Sequence, residues 1–487
     1  MKIVVLQVFN TMSRKLEEFK PLRKKHVGMY VCGPTVYDWA HLGHARTYLA
    51  FDIIVRWLEF KGFSVFYVQN VTDVGHLTED TAEDKIVKRA REARIEPMQL
   101  VEVYMREYFR DLDSLGVKRP DISPRATGHL IEMIEVIQSL IEKRYAYEVN
   151  GNVFFNVSKF EDYGKLSKVK PEAMLTGSRF EVHPDKRNPQ DFALWKRADK
   201  DALLKWWSPW GYGFPGWHIE CAIMGLKYLG SQFDIHGGAR DLIFPHHENE
   251  IAQCEALTGK KPFVKYWLHT GFLTINGEKM AKSLGNYITV RQALKKYDAE
   301  AIRLFVLSTH YRSEIDFTDK KLRDAETSLE RLYNTLDGLE EAMERSVKRK
   351  LTESENAFEK KAEKLRAEFV EAMDEDFNTP RALAALFDLS REINRFLGEQ
   401  KQVSTELLKR VYDGFLELGK VLGLFQKEKA KKVSEKLVND LVTLLVKLRE
   451  NLRSKGEFEL SDEIRSNLRE LGVMVEDTSG GSKWKLA

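Results

Sequence analysis

The sequence predicts an α/β protein: a parallel sheet covered by helices and split by a long insertion, then a helical bundle and a small C-terminal module. Three observations predict it. A strand, a turn, a helix and a second strand follow one another between Met29 and Asn70, the order that requires a parallel sheet. The same alternation returns after about residue 205, beyond a stretch punctuated by Pro120, Pro124, Gly151, Gly164, Pro171, Pro184 and Pro189. From about residue 290, leucine, phenylalanine and valine recur at spacings of three and four while glycine becomes sparse, the mark of packed amphipathic helices.

The first strand is Met29-Tyr30-Val31-Cys32, closed by a Gly33-Pro34 turn. A helix is expected from about His41 to Lys61, with apolar residues at Tyr48, Leu49, Phe51, Ile53, Ile54, Trp57 and Leu58 and Gly62 as its stop. Ser64 to Asn70, rich in β-branched and aromatic side chains, is the second strand. After the insertion, Phe233 to His236 reads as a short strand ending in Gly237-Gly238. A helix begins near Pro245 and runs to about Leu257, and Trp267 to Ile275 reads as one strand-like run. Helical stretches follow at 320–345, 357–373, 380–397, 405–425 and 433–452. Glu457 to Ala487, with Gly472, Val473-Met474-Val475 and Gly480-Gly481, breaks from that pattern. The expected segments are 1–75 and 206–290 for the two halves of the sheet domain, 76–205 for the insertion, 291–425 for the bundle and 426–487 for the terminal module.

A chain of 487 residues exceeds one hydrophobic core and implies about two to four domains. Hydrophobic residues make up 43% and charged residues 31%, and no run approaches the roughly 18 apolar residues of a membrane span. The opening residues lack a basic leader and a small-residue cleavage site, so the expected compartment is the cytoplasm. A net charge of +3 neither demands nor excludes a nucleic-acid partner. Such a partner needs local patches, of which Arg23-Lys24-Lys25, Lys88-Arg89, Lys320-Lys321 and Lys427 to Lys432 are candidates; taken singly, each reads as a solvated helix face. Three widely spaced cysteines, Cys32, Cys221 and Cys254, do not form a disulfide framework. All three precede residue 255 and no histidine follows His310, which places the chemistry in the first two-thirds of the chain.

His41-Leu42-Gly43-His44 lies where a strand gives way to a helix. A helix N-terminus presents free N–H groups and the positive end of the dipole, so it attracts phosphate. Gly43 lets a base or ribose approach the backbone, and two histidines one turn apart can donate to charge building on phosphorus. Lys279-Met280-Ala281-Lys282-Ser283 follows a strand and an Asn276-Gly277 turn, and its two lysines suit a departing pyrophosphate as flexible point charges. His246 and Glu250 are four apart on a predicted helix and share a face. With Cys32 and Cys221 they make a reasonable zinc set. Spacing alone, spread over more than 200 residues, favours the plainer reading of buried thiols and a helix-surface pair.

The pair HLGH and KMAKSLGN resembles the two signature motifs of class I aminoacyl-tRNA synthetases, usually written HIGH and KMSKS, with Leu42 and Ala281 as departures. Longer stretches are similar to the cysteinyl-tRNA synthetase family, in order and across nearly the whole chain: Tyr30 to Asp38, Asp185 to Pro189, Pro215 to Cys221, Phe233 to Gly238 and Phe244 to Glu250. The resemblance implies a Rossmann-like catalytic domain. It makes His41 and His44 stabilisers of the α-phosphate and gives Lys279 and Lys282 the outer phosphates, with Mg2+ accompanying ATP. Gly43, Gly237, Gly238, Asp241, Lys282 and Ser283 would bind ATP, while Thr72, Trp217 and His236 line a cysteine pocket. Cys32, Cys221, His246 and Glu250 would hold one Zn2+, which grips a thiol where a serine hydroxyl cannot match it. Selection of that kind removes the need for an editing domain. The expected partners are ATP, L-cysteine and tRNA(Cys), and the expected state is a monomer. In the terminal module, Asp477 is assigned to a base edge of the anticodon, and Trp484 either, if exposed, to base stacking or to anchoring the tail on its own module. Cys254 receives no role, and the acidic run from His76 to Asp84 reads as a solvated loop opening a helix. Two rivals share these features: a ligase that passes cysteine to an amino sugar, and a catalytically silent zinc protein that binds RNA. The long helical tail opposes the first and the intact HLGH and KMAKS lysines oppose the second.

Overall fold

The structure, a computed structural model, describes residues 5–74, 84–169, 183–280, 284–426, 435–478 and 481–486. The chain divides into two compact units, Met1–Gln426 and Lys427–Ala487. In the first, a hairpin of β1 (Gln7–Asn10) and β2 (Lys15–Glu18) precedes β3 (His26–Val31), α1 (Leu42–Phe60) and β4 (Ser64–Gln69). The insertion contributes α2 (Lys85–Ala93), α3 (Pro97–Ser114), α4 (Leu130–Glu142), β5 (Ala146–Val149), β6 (Asn152–Phe155), β7 (Phe192–Arg197), β8 (Trp206–Ser208) and β9 (Gly211–Pro215). The chain then returns through α5 (Trp217–Leu229), β10 (Phe233–Ala239), α6 (His246–Thr258) and β11 (Val264–Thr270). A small sheet follows, formed by β12 (Leu273–Ile275), β13 (Glu278–Lys279) and, beyond α7 (Val290–Leu294) and α8 (Ala299–Leu307), β14 (Ile315–Phe317). Helices α9 (Asp319–Glu344), α10 (Glu353–Asp374), α11 (Thr379–Glu399) and α12 (Thr405–Val421) complete the unit. The expected single run Trp267–Ile275 is two strands in two sheets. They part at Gly271, where a Cβ would lie 2.2 Å from the Ser313 carbonyl oxygen.

The central sheet has the order β11-β10-β3-β4, every pair parallel. Val27, Met29, Tyr30 and Val31 of β3 are all buried, as a parallel strand covered on both faces requires. The crossover from β3 leads outward to β4 and that from β10 leads the other way to β11, so the order reverses between the two central strands. Ligands bind at the carboxyl ends of strands flanking such a switch point. Here those ends deliver Cys32 and Gly237, joined by the Cys32 N–H donating to the Gly237 carbonyl at 3.0 Å. The insertion folds as a separate antiparallel sheet, β5-β6-β7-β9-β8, whose last two strands lie beyond residue 205, the expected end of the insertion, because β9 pairs with β7 and β8 with β9.

Helices α9 to α12 pack through stripes such as Leu322, Leu329, Leu332, Leu336 and Leu339, all buried. A buried ion pair ties this end of the unit to α1. Arg303 donates to Asp52 at 2.6 Å and to the carbonyls of Leu115, Gly116 and Leu422, at the C-terminal ends of α3 and α12. Gly423, with φ +68°, must lack a side chain because a Cβ would lie 2.3 Å from that guanidinium. Replacing Arg303 with leucine leaves three helix-end carbonyls without this donor and Asp52 with only Arg56 as a cation. We expect a loss of about 3 kcal/mol in urea unfolding, with only partial recovery in Arg303→Lys because an ammonium cannot span the four acceptors.

The second unit holds α13 (Glu435–Ser454), α14 (Phe458–Glu470) and an antiparallel hairpin of β15 (Val473–Thr478) and β16 (Gly481–Leu486) around Val442, Val446, Leu468, Val473 and Val475. Among the described residues no helix is long and apolar enough to cross a membrane.

Candidate active site

The histidines of the HLGH motif build their own helix cap. His41 is the N-cap of α1, and its Nδ1 accepts from the N–H groups of Gly43 at 3.0 Å and His44 at 3.4 Å. His44 reciprocates, its Nδ1 accepting from the His41 N–H at 3.3 Å. The rings stack with centroids 3.8 Å apart. A Cβ on Gly43 would lie 2.8 Å from the His41 ring, so the glycine permits the cap. Because both Nδ1 atoms accept, a neutral ring carries its proton on Nε2. Burial, and then His41, hold His44 well below the usual histidine range, which keeps it neutral. The HLGH segment also touches the stretch that follows KMAKSLGN. Leu42 N–H donates to the Ile288 carbonyl and Val290 N–H to that of Ala40, while Tyr287 sets its ring edge-on to His41. Lys279 is exposed on β13. Lys282 and Ser283 lie outside the described residues, as do His76 to Glu83 and Lys427 to Lys432.

At the end of β10 the two glycines serve packing in this structure. A Cβ on Gly237 would lie 2.2 Å from the buried Phe51 ring, and one on Gly238 would lie 2.8 Å from Leu242 and 3.1 Å from His247. Asp241 is exposed on a single turn, Arg240–Ile243.

Between these features and the insertion lies a buried cluster of donors. Cys32 follows β3, Cys221 lies in the second turn of α5, and His246 and Glu250 lie one turn apart on α6. Their ligand atoms all fall within 4.8 Å of one another, an arrangement compatible with a metal ion. The sulfurs are 3.8 Å apart, Cys32 Sγ is 3.8 Å from Glu250 Oε1, and His246 Nε2 is 3.0 Å from the same oxygen. Burial raises the Cys221 thiol, but its neighbours Cys32 and His246 outweigh that and bring it down to about 7. Burial likewise opposes charge on Glu250 and His246. Even so, His236 and His246 hold the carboxyl at about 2, and Glu250 and Cys221 raise the imidazole to about 10. Charge on Glu250 and Cys221 is thus answered by His246, with His236 also facing the carboxylate.

The structure adds a residue that the sequence reading did not single out. His247 Nε2 lies 3.3 Å from Cys32 Sγ, and its Nδ1 lies 2.8 Å from His269, which in turn meets Thr11. Cys32, His236, His247 and Glu250 form a second grouping with donor geometry. It shares Cys32 and Glu250 with the first. The only sequence signal is the doublet His246-His247 itself.

The expected pocket residues are close by. His236 Nε2 sits 2.8 Å from the other Glu250 oxygen, and its ring stacks on Trp267. Trp217 opens α5 with its ring 4.5 Å from that of His246 and remains 37% exposed. Thr72 donates to Glu220 at 3.0 Å. Cys254 stays apart: its sulfur faces the Ala222 carbonyl at 3.7 Å, and burial pushes its thiol well above the usual range.

In the second unit, both oxygens of Asp477 bind the buried Arg449, at 2.7 and 2.9 Å, and Ser482 adds a third bond. Its carboxyl is held far below the usual range by Arg449 and then Ser482. Trp484 is half-buried against the unit's apolar core, with Nε1 3.3 Å from Thr443 Oγ1. The hairpin register places it opposite Val475, which supplies the burial.

Residues 18–327 match the family described as tRNA synthetases class I (C) catalytic domain, and residues 368–426 match the DALR domain. The chain is similar along its length to curated relatives. It is 50% identical over 486 residues to the cysteine–tRNA ligase of Thermococcus gammatolerans, covering 99% of each chain. It is 46% identical over 496 residues to that of Thermodesulfovibrio yellowstonii, again covering 99% of each. Among solved structures, Mycobacterium tuberculosis methionyl-tRNA synthetase in complex with methionyl-adenylate superimposes with a TM-score of 0.58 at 16% identity, covering 82% of this chain and 89% of that one; this likeness concerns the fold.

Proposed function

Because the chain belongs to the cysteine–tRNA ligase family of class I tRNA synthetases, ligases whose substrates are ATP, an amino acid and tRNA, we propose that Cys32, Cys221, His246 and Glu250 hold one zinc ion that selects cysteine. One distance carries the proposal. Two thiolates on a tetrahedral zinc, each about 2.3 Å from the metal, stand about 3.8 Å apart, and the Cys32 and Cys221 sulfurs are 3.8 Å apart. The donor set agrees, since two soft sulfurs with an imidazole favour zinc over the oxygen-seeking cations. When bound, the zinc supplies a soft Lewis acid that a thiolate satisfies far better than a hydroxyl. His236 acts on Glu250: its contact with one carboxylate oxygen leaves the other turned toward His246 and Cys32. Trp217 and Thr72 border the space in which the substrate side chain would lie.

Activation then uses the helix end. A cysteine carboxylate oxygen attacks the α-phosphorus of ATP, and pyrophosphate leaves with Mg2+. His41 and His44 offer Nε2–H donors to the phosphate oxygens as their charge builds. Lys279 and Lys282 hold the outer phosphates. Gly43, Gly237, Gly238 and Ser283 flank the nucleotide, with Asp241 accepting from the ribose hydroxyls. In the second step a ribose hydroxyl at the 3′ end of tRNA(Cys) attacks the activated carbonyl and AMP departs. The protein acts as a monomer in the cytoplasm. In the second unit Asp477 braces the hairpin through Arg449, and the hairpin with Trp484 faces the anticodon.

The test is cysteine-dependent exchange of pyrophosphate into ATP. Zinc-replete protein should exchange with cysteine, and with serine at least about a thousandfold more slowly. Equal rates with the two amino acids would defeat the proposal.

A further inference from the structure

Strands β8 and β9 leave two large aromatic side chains in solvent. Trp207 is 67% and Tyr212 55% exposed. They are directly opposed in register, with ring centroids 5.3 Å apart at 71°. Strand β8 is the edge of the five-stranded sheet. Alternation puts Phe214 on the face of Tyr212, and register puts Lys196 opposite Phe214, so that face carries Lys196 as well. Lys205 completes it, its ammonium 5.9 Å from the Tyr212 ring. The segment 196–205 holds four cations, Lys196, Arg197, Lys200 and Lys205, against Asp199 and Asp201, a net charge of +2.

The position of this face matters as much as its composition. Five residues beyond Tyr212 the same strand delivers Trp217 and then the α5 turn with Cys221, an extended distance of at most about 17 Å. At its other end, Leu204 packs against the cluster containing Val36, Tyr37 and Trp39, which runs into His41. The hairpin is therefore anchored on both sides of the candidate site.

We propose that Trp207 and Tyr212 form a stacking platform for the unpaired 3′-terminal strand of the tRNA substrate, steering it toward the active site. Flat rings stack on any base, and neighbouring ammonium groups meet the phosphates; that combination is how proteins hold single-stranded nucleic acid. A duplex offers no free base faces, so the face suits the unpaired end. The inference rests on the tRNA-charging reading above. The competing explanation is a cross-strand aromatic pair that merely stabilises an edge.

The test compares wild type with a Trp207→Ala/Tyr212→Ala double variant. Stacking one base predicts a rise of about tenfold or more in KM for tRNA, with cysteine-dependent pyrophosphate exchange within about twofold of wild type, since no adenylation residue is touched. Trp207→Phe, which keeps a ring, should restore most of the affinity. As a competitor, tRNA trimmed of its unpaired 3′ nucleotides should inhibit wild type and variant equally. An unchanged KM overturns the proposal: with a lowered melting point it leaves a structural pair, and with a loss of self-association it gives the face to a second copy of the chain. A matching fall in exchange, or unequal inhibition by the trimmed tRNA, also overturns it. Failure of wild type to exchange with cysteine would instead sink the functional reading beneath it.

Discussion

Replacing Cys221 with serine should weaken cysteine binding by more than about a hundredfold while ATP binding changes little. Loss of a group that only orients a metal ligand already costs about 10- to 100-fold in metal affinity or activity, and Cys221 is proposed as a ligand itself. The substitution nearly conserves volume, so the cavity survives. What is lost is a soft anion, because a hydroxyl does not ionise where the Cys221 thiol titrates at about 7. Zinc content should fall with cysteine affinity. Cys254→Ser is the control: that residue is buried one turn beyond Glu250 and faces only a carbonyl from α5. It should keep its zinc and its cysteine affinity. Loss of ATP binding in step with cysteine binding would point to a damaged fold instead.

His44→Ala should lower the rate of adenylate formation by about 10²- to 10³-fold, the effect of removing one preorganised donor from developing charge. Cysteine affinity and zinc content should stay near wild type, because His44 is not one of the clustered donors. The substitution also removes the acceptor for the His41 N–H, so part of the loss reflects a loosened helix end. His44→Gln separates the two effects. Glutamine at this position can close the same capping box and offers an N–H donor, so it should lose less than alanine. Equal losses would mean that the ring itself, and not the donor, matters.

The sequence disclosed the frame of the site better than its interior. The βαβ unit was legible because α1 carries a continuous apolar face and Gly62 ends it; the helix and the second strand fall within a residue of the expected bounds, while the first strand begins three residues earlier than expected, at His26. His246 and Glu250 could be paired from helical spacing. Nothing in spacing joins them to Cys32, 218 positions from Glu250; the parallel pairing of β3 with β10 does that, and only the family resemblance anticipated it. His247 escapes helical spacing because it does not share the face of His246 and Glu250. Every residue of α6 from His246 to Ala256 is buried, so a side chain 100° away from the ligand face still reaches Cys32. The insertion's sheet was illegible because its strands run only three to six residues. The sequence leaves Trp484 open between stacking and anchoring because no pattern shows which face of a terminal hairpin lies on its helices; the structure sets it against the unit's core.

The central claim is that two sulfurs, an imidazole and a carboxylate hold a single zinc where the substrate thiol can join them. Metal analysis of the purified protein, read with X-ray absorption at the zinc edge, tests it most directly. The predicted result is one zinc per chain with two sulfur neighbours, rising to three when cysteine is added and staying at two with serine. A chain that takes up no zinc, or a metal with no sulfur neighbour, would contradict it.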